Sequence, residues 1–297
     1  MGVLAIDIGG SGVRGARMSK MGILGPRAVR TLDVALDSRE IVERLRAVIT
    51  DLGPTHDDIA LGVSFPGFLD TNGRILPGIH LRGMVGMDLA EELSSVCGDC
   101  SIAVIPDLGA AALGEAHFGN HVGRLLCVGL GSGANAALVV DGAVVDLAGG
   151  CLGDAGHVVV EPDGPECPCG GRGCLEAVCS GAALARQGAQ LGLPDGAAVT
   201  QAAQRGHPEA LALLERAGTG LGRALASWAA MTFPESIVVV GGLSATGELL
   251  LAPARQELQR VGQPAIVREL SVEVGVCGSD AGLLGAALAA MELGQSI

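Results

Sequence analysis

The sequence predicts an α/β protein built from two similar halves. Three observations carry that reading. A strand–glycine turn–strand unit occurs at residue 3 and again near residue 125. The 48 glycines, far above an average share of about 7%, recur at the ends of apolar runs, where tight strand-to-helix turns need them. Nearly half the residues are hydrophobic (49%), enough for a sizeable core in a chain of 297 residues, which has room for one large or two modest domains.

The elements follow in order. Val3–Ile8 is a short apolar strand, turned by Gly9-Gly10-Ser11-Gly12 into the alternating strand Val13–Met18. Ser38 caps a helix to about Leu52, with Ile41, Leu45, Val48 and Ile49 on one face. Ile59–Ser64 is a strand before Phe65-Pro66-Gly67, and residues 68–87 are turn-rich and line a cleft. Asp88–Val96 is a short helix. Ile102–Ile105 is a strand stopped by Pro106, and Asp107–Phe118 is helical. The second half repeats this grammar: strand Leu125–Gly129, turn Gly131-Ser132-Gly133, strand Ala136–Val140 and the hairpin signal Asp141-Gly142. Residues 150–176 are dense in Gly, Cys and Pro. Helices dominate 180–231, Ile237–Val240 is a buried strand ending in Gly241-Gly242, and Asp280–Met291 is the last helix.

Composition excludes several function classes. The net charge of −13, with no Lys/Arg cluster, opposes binding to a phosphate backbone. Four Phe, one Trp and no Tyr leave little for base stacking. Lys20 is the only lysine, so catalysis through a lysine is nearly excluded. The start shows no signal-peptide core, and no run of 18 apolar residues exists, so the expectation is a soluble cytoplasmic protein without membrane partners. Nine unevenly spaced cysteines read as thiols or metal ligands in a reducing compartment. Cys97-Gly-Asp-Cys100 offers the alternative of a redox pair.

Three features carry chemistry. Cys167-Pro-Cys169-Gly-Gly-Arg-Gly-Cys174, with His157 ten residues upstream, supplies three thiolates and an imidazole for a closed, structural zinc site. Such an ion would hold Glu176 and the His157 loop in place; the alternative is three free thiols in a loop. Asp7-Ile-Gly-Gly-Ser11 offers N–H groups and a hydroxyl for phosphate, and a carboxylate for Mg²⁺. Gly131-Ser132-Gly133 offers the same donors from the other half; each alone is equally an ordinary hairpin turn, and two across a cleft would clamp a nucleotide triphosphate. Asp107 joins a strand to a helix, where it is an N-cap, a general base toward a hydroxyl, or both.

Asp7-Ile-Gly-Gly-Ser-Gly, Gly62-Val-Ser-Phe-Pro-Gly67, Asp107 with Ala110-Ala-Ala-Leu-Gly-Glu115, Gly131-Ser-Gly, Gly153-Asp-Ala-Gly-His157, the cysteine cluster through Glu176, Val240-Gly-Gly-Leu-Ser244 and Asp280-Ala-Gly-Leu-Leu-Gly-Ala-Ala287 stand in the order of the ROK family. The chain resembles that family of bacterial sugar kinases and sugar-responsive repressors over essentially its whole length. The resemblance implies a two-lobed actin/hexokinase-like (ribonuclease H-like) α/β fold. The small lobe would be 1–106, completed by helix 280–297, and the large lobe 107–279 with the zinc loop. It implies ATP·Mg²⁺, phosphorylation of a sugar hydroxyl with Asp107 as base, and a homodimer. Sugar contacts fall on Gly67, His80, Asp154, His157 and Glu176. Phosphates fall on Asp7, Gly9, Gly10, Ser11, Gly131, Ser132 and Gly133, and adenosine on Gly241 and Gly242. Zinc falls on His157, Cys167, Cys169 and Cys174. Repressors of the family carry a helix-turn-helix ahead of the first strand; here that strand begins at Val3.

Some positions depart from the family pattern. Pro106 stands where an Asn usually precedes the catalytic Asp, Gly109 where another Asn follows, His80 at a sugar-contacting Asn, and Asp154 at a Glu. These departures leave the sugar open between a hexose and an N-acetylhexosamine. They also motivate one rival reading, a sugar sensor without turnover. A second rival, a polyphosphate-dependent glucokinase, rests on the similar opening motif.

Overall fold

The computed structural model describes residues 2–295 other than 11, 34, 56–57, 78–80, 99, 148–150 and 264, with backbone alone at 266 and 295. In chain order the first elements are β1 (Gly2–Gly9), β2 (Gly12–Met18), β3 (Ala28–Thr31), α1 (Ser38–Asp51), β4 (Asp58–Phe65), α2 (Leu89–Cys97), β5 (Ser101–Pro106) and α3 (Asp107–Phe118). There follow β6 (Arg124–Leu130), β7 (Ala134–Val140), β8 (Ala143–Val144), α4 (Leu175–Val178), α5 (Gly181–Gly188), α6 (Gly196–Gln204) and α7 (Pro208–Thr232). The chain ends with β9 (Ser236–Val240), α8 (Glu248–Val261), α9 (Ala265–Arg268), β10 (Val272–Val274) and α10 (Ala281–Gln295). The strands form two five-stranded sheets, ordered β3-β2-β1-β4-β5 and β10-β9-β6-β7-β8.

The chain packs as two compact units. One holds Met1–Asn120, Gly142–Cys151 and Ser279–Ile297; the other holds His121–Asp141 and Leu152–Gly278. The boundary differs from the expected division at 106/107, and the physical reason is the close packing of α3 on α10. A Cβ on Gly114 of α3 would lie 2.6 Å from the Ala281 carbonyl oxygen and 3.3 Å from the Gly285 nitrogen. Helices this close share one core, so α3 belongs with the first unit.

In the first unit β1 pairs antiparallel with β2 and parallel with β4, which pairs parallel with β5. Leu4, Ile6, Ile8, Leu61, Val63 and Phe65 are buried with Ile41, Leu45, Val48 and Ile49 of α1. The cap of α1 is Asp37, not the expected Ser38. Its carboxylate accepts from Arg39 and Glu40 N–H, and Glu40 returns the contact to the Asp37 N–H. A carboxylate with a Glu three residues on forms a capping box, which Ser38 could not complete. In the second unit β6 pairs antiparallel with β7 and parallel with β9, which pairs parallel with β10. Its core includes Leu126, Val128, Leu221, Leu225, Trp228, Ile237 and Val239.

The edge strands β3 and β10 and the helix α8, with Pro253 inside it, are absent from the sequence expectation. Cys97 and Cys100 are joined in a disulfide, which departs from the expectation of thiols or metal ligands and matches the pairing offered as its alternative. Gly98 at φ 66° ends α2 between them and brings their Cα atoms to 5.6 Å, within ordinary disulfide range.

Candidate functional site

The first unit gathers its polar groups at the carboxyl ends of its parallel strands, where α/β sheets place ligands. Register puts Asp7 of β1 beside Ser64 of β4, and Ser64 beside Ile105 of β5. Asp107 follows two residues later as the first residue of α3. Across the hairpin, Asp7 pairs with Arg14 of β2. The Asp7 carboxylate is held on both oxygens. Ser64 donates its hydroxyl to Oδ1 at 2.7 Å, and Arg14 donates Nε and Nη2 to Oδ2 at 3.0 and 2.7 Å. Arg14 also donates to the Ser279 carbonyl. Gly9 and Gly10 are exposed at the turn and Gly67 is half-buried, while Ser11 and His80 lie outside the described residues.

Asp107 is not the cap of α3. The N-cap is Pro106, which makes no side-chain hydrogen bond, and Asp107 accepts from the Leu108 N–H at 2.7 Å. Pro106 ends β5 opposite Phe65, a strand end where the missing N–H costs nothing. The Asp107 carboxyl is pushed up to about 6, by the protein crowded around it and then by the negative charge of Asp7, against the pull of the Leu108 N–H. The residue is exposed by accessible area, and contact with solvent trims this effect without reversing it. A carboxylate with an affinity for protons near neutrality suits a general base.

In the second unit the turn Gly131–Gly133 is fixed from both sides. Gly131 N–H closes on the Gly133 oxygen at 3.0 Å, and the first N–H groups of α5, on Gly181 and Ala182, donate to Gly131 and Ser132 at 2.7 and 3.2 Å. Glu176 of α4 lies over the turn and accepts from Ala134 N–H at 3.1 Å. A Cβ at Gly133 would stand 2.6 Å from the Glu176 Oε2, so a side chain there would displace the Glu176 carboxylate from the turn. Gly241, at φ 90°, and Gly242 follow β9.

The four expected metal ligands converge. One ligand atom from each of His157, Cys167, Cys169 and Cys174 lies within 4.8 Å of all the others. Cys169 and Cys174 sulfurs are 3.7 Å apart, and a tetrahedral zinc with bonds of about 2.3 Å sets sulfurs about 3.8 Å apart. Burial and the neighbouring thiols push Cys174 up to about 12, and burial raises Cys167, while the Gly171 N–H lowers Cys169. A cation amid these thiols reverses that logic and deprotonates them. The residues therefore fit a zinc ion. The loop is stitched by Cys167 N–H to Gly171 and Gly170 N–H to Cys167, both 2.9 Å, and Leu175 N–H to Val158 carries the order into α4 and Glu176.

His157 uses its two nitrogens differently. Nδ1 faces the Cys167 sulfur at 3.5 Å and Nε2 faces Asp154 at 3.4 Å. With Nδ1 on a metal, Nε2 carries the proton toward the carboxylate, the arrangement that orients metal-bound histidines. Asp154 thus touches His157 as well as standing exposed toward solvent. Asn135 holds this turn: its Oδ1 accepts from Ala155 N–H at 2.9 Å. Arg14, Ser64 and Asn135 hydrogen-bond the candidate residues or their turns, and the sequence reading assigned none of them a role, although Ser64 lies within a quoted motif.

Each unit thus holds part of the expected residue set: Asp7, Asp107 and a glycine turn in one, a second glycine turn and the His157–cysteine cluster in the other. The ROK family model matches residues 3–292, and the chain belongs to the ROK family. It is 29% identical to a glucokinase from Thermotoga maritima, with 96% of each chain covered. It is 30% identical to an N-acetylmannosamine kinase from Citrobacter koseri, over 98% of this chain and 99% of that one. The solved ROK family glucokinase from Streptomyces griseus, in complex with glucose and AMPPNP, is 27% identical, with a TM-score of 0.82 over 98% of this chain and all of the other. The fold is that of the ROK sugar kinases. Among the described residues no helix is long and apolar enough to cross a membrane.

Proposed function

We propose that the protein is an ATP-dependent sugar kinase acting on a hexose or N-acetylhexosamine. The observation that carries the reading is the pair of carboxylates Asp7, on β1, and Asp107, just beyond β5, at the same end of the parallel strands and separated by β4, in a chain of this family. Asp107 takes the proton of the sugar hydroxyl. The freed oxygen attacks the γ-phosphorus as the bond to the ADP oxygen breaks. The turns at Gly9–Gly10 and Gly131–Gly133 offer N–H groups to phosphate oxygens, and Gly241-Gly242 packs against adenosine. Mg²⁺, held at Asp7 when bound, neutralises phosphate charge. Asp154 and Glu176 receive sugar hydroxyls, and His157, committed to zinc through Nδ1, orients Asp154.

Zinc on His157, Cys167, Cys169 and Cys174 is structural in this reading, because four protein ligands leave no open position. The acidic net charge supports small-molecule partners without nucleic acid. A homodimer in the cytoplasm fits the family resemblance. The test is ADP release across a panel of hexoses, hexosamines and N-acetyl sugars, with ATP and polyphosphate as donors. Sugar-dependent ADP release with ATP supports the reading. Sugar binding without ADP release refutes it in favour of a sensor, and turnover with polyphosphate alone replaces the donor.

A further inference from the structure

Asp7 has little room left for a metal ion. Ser64 takes one lone pair of Oδ1, and Arg14 takes both of Oδ2 through Nε and Nη2. A carboxylate oxygen offers two such directions, so Oδ2 is saturated and Oδ1 keeps one. The guanidinium is itself fixed, since β2 register places it opposite Asp7 and the Ser279 carbonyl accepts from it. Mg²⁺ takes oxygen ligands at about 2.1 Å and sheds water reluctantly. A divalent ion arriving at Asp7 therefore meets a positive charge already seated on the carboxylate.

We infer that Arg14 occupies the cation position of the Asp7 carboxylate, so that the first glycine turn takes up no free divalent ion and the metal enters only with the nucleotide. The inference rests on the assignment of Asp7 to the phosphate end of the site. The Arg14 side chain is one-third exposed, so an incoming triphosphate can reach it. Phosphate oxygens are the better acceptors for a planar guanidinium, which binds them in pairs. As Arg14 turns to the phosphate, Oδ2 of Asp7 is released to the ion that the nucleotide brings. Charge is conserved through the exchange: the phosphate receives the arginine and the carboxylate receives the metal. Arg14 is in this view a positioning residue that couples metal entry to nucleotide entry.

The experiment measures Mn²⁺ binding by electron paramagnetic resonance to zinc-loaded, nucleotide-free protein, so that the cysteine cluster is already filled. Wild type should bind Mn²⁺ weakly alone and about one ion per chain with AMPPNP. Arg14→Gln should bind Mn²⁺ at least about tenfold more tightly without nucleotide, since a repulsive charge some 4 Å away is gone. Asp7→Asn in that background should abolish the gain. Equal Mn²⁺ affinity of wild type and R14Q overturns the inference. So does an ion on nucleotide-free wild type that Asp7→Asn removes, a result that stands even where R14Q fails to fold. ADP release by wild type is measured on the same preparation. Turnover without the R14Q gain refutes this inference alone, whereas absence of turnover with every sugar refutes the kinase reading itself.

Discussion

Gly114→Ala sets two effects against each other, and their magnitudes decide the sign. On helix propensity alone, alanine should stabilise α3 by about 1 kcal/mol. The packing opposes it. The new Cβ would lie 2.6 Å from the backbone oxygen of Ala281, and ordinary contact begins near 3.4 Å, so the two helices must separate by a large part of an ångström. Backbone cannot swing aside as a side chain can. Overpacking of this kind costs about 1–3 kcal/mol, reaching further where backbone must move. We expect a net loss of about 1–2 kcal/mol, and a fall in Tm of roughly 2–8 °C at the usual conversion for chains of this size. The catalytic consequence follows from geometry, because α3 begins with Asp107. A shift of about 1 Å in a reacting group costs about a hundredfold, so roughly tenfold should be lost from kcat. Calorimetry and steady-state kinetics on the same preparation test both halves. A Tm at or above wild type would show that propensity wins and that the helices are not in close contact. A lowered Tm with unchanged kcat would show that movement of α3 does not reach the base.

Asp107→Asn should lower kcat by roughly 10²–10⁴ with little change in sugar affinity. In wild type, kcat should rise with pH through about 6, as the carboxylate ionises. The folded pKa is raised, so ionising Asp107 costs stability above the unfolded value of 3.8, fully so once pH passes about 6. D107N should therefore melt higher than wild type at pH 8, with the difference vanishing near pH 4; equal Tm across that window refutes the strain. Elemental analysis should find roughly one zinc per chain in wild type, and Cys169→Ser should lose it together with folded protein and sugar affinity; a zinc-free, folded and active wild type would refute the site. Asp154→Asn should weaken zinc roughly 10–100-fold through His157, and an unchanged affinity in a chelator titration would detach Asp154 from that nitrogen. With Pro106 unable to supply an amide, glucose should be no better a substrate than an N-acetylhexosamine; exclusive use of glucose at kcat/KM above about 10⁵ M⁻¹s⁻¹ would refute this.

The strands that carry chemistry were legible because their signal is short-range. Buried runs such as Val3–Ile8 end in glycine, and the cysteine spacing encodes a ligand set without knowledge of the fold. Residues whose role is set by distant partners were not legible. Nothing local to Gly114 or Gly285 says that two helices 170 residues apart meet there. The pairing of Cys97 with Cys100, three residues apart, was offered by the sequence as an alternative; the positive φ of Gly98 that accompanies it was not. The caps were misread for a different reason: Asp37 and Ser38 both favour the position, and only the reciprocal contact with Glu40 selects between them.

Arg14 lies between these cases, since the sequence contained its signal. With Gly9 paired to Gly12, residue 7 falls opposite residue 14, and the side-chain period puts both on one face of the sheet. An acid and an arginine in that register are a pair by arithmetic, before any coordinates. The motif Asp7-Ile-Gly-Gly-Ser draws attention to phosphate and stops three residues short of the cation. Once the pair is seen, the charges at the strand ends become interdependent: Arg14 offsets Asp7, and the charge of Asp7 is one of the two causes that raise Asp107. Drawing Arg14 away to a phosphate while a divalent ion arrives keeps Asp7 neutralised throughout. If that exchange holds, Asp107 would not face a bare carboxylate when it takes up a proton, and its proton affinity would follow the cation that Asp7 holds.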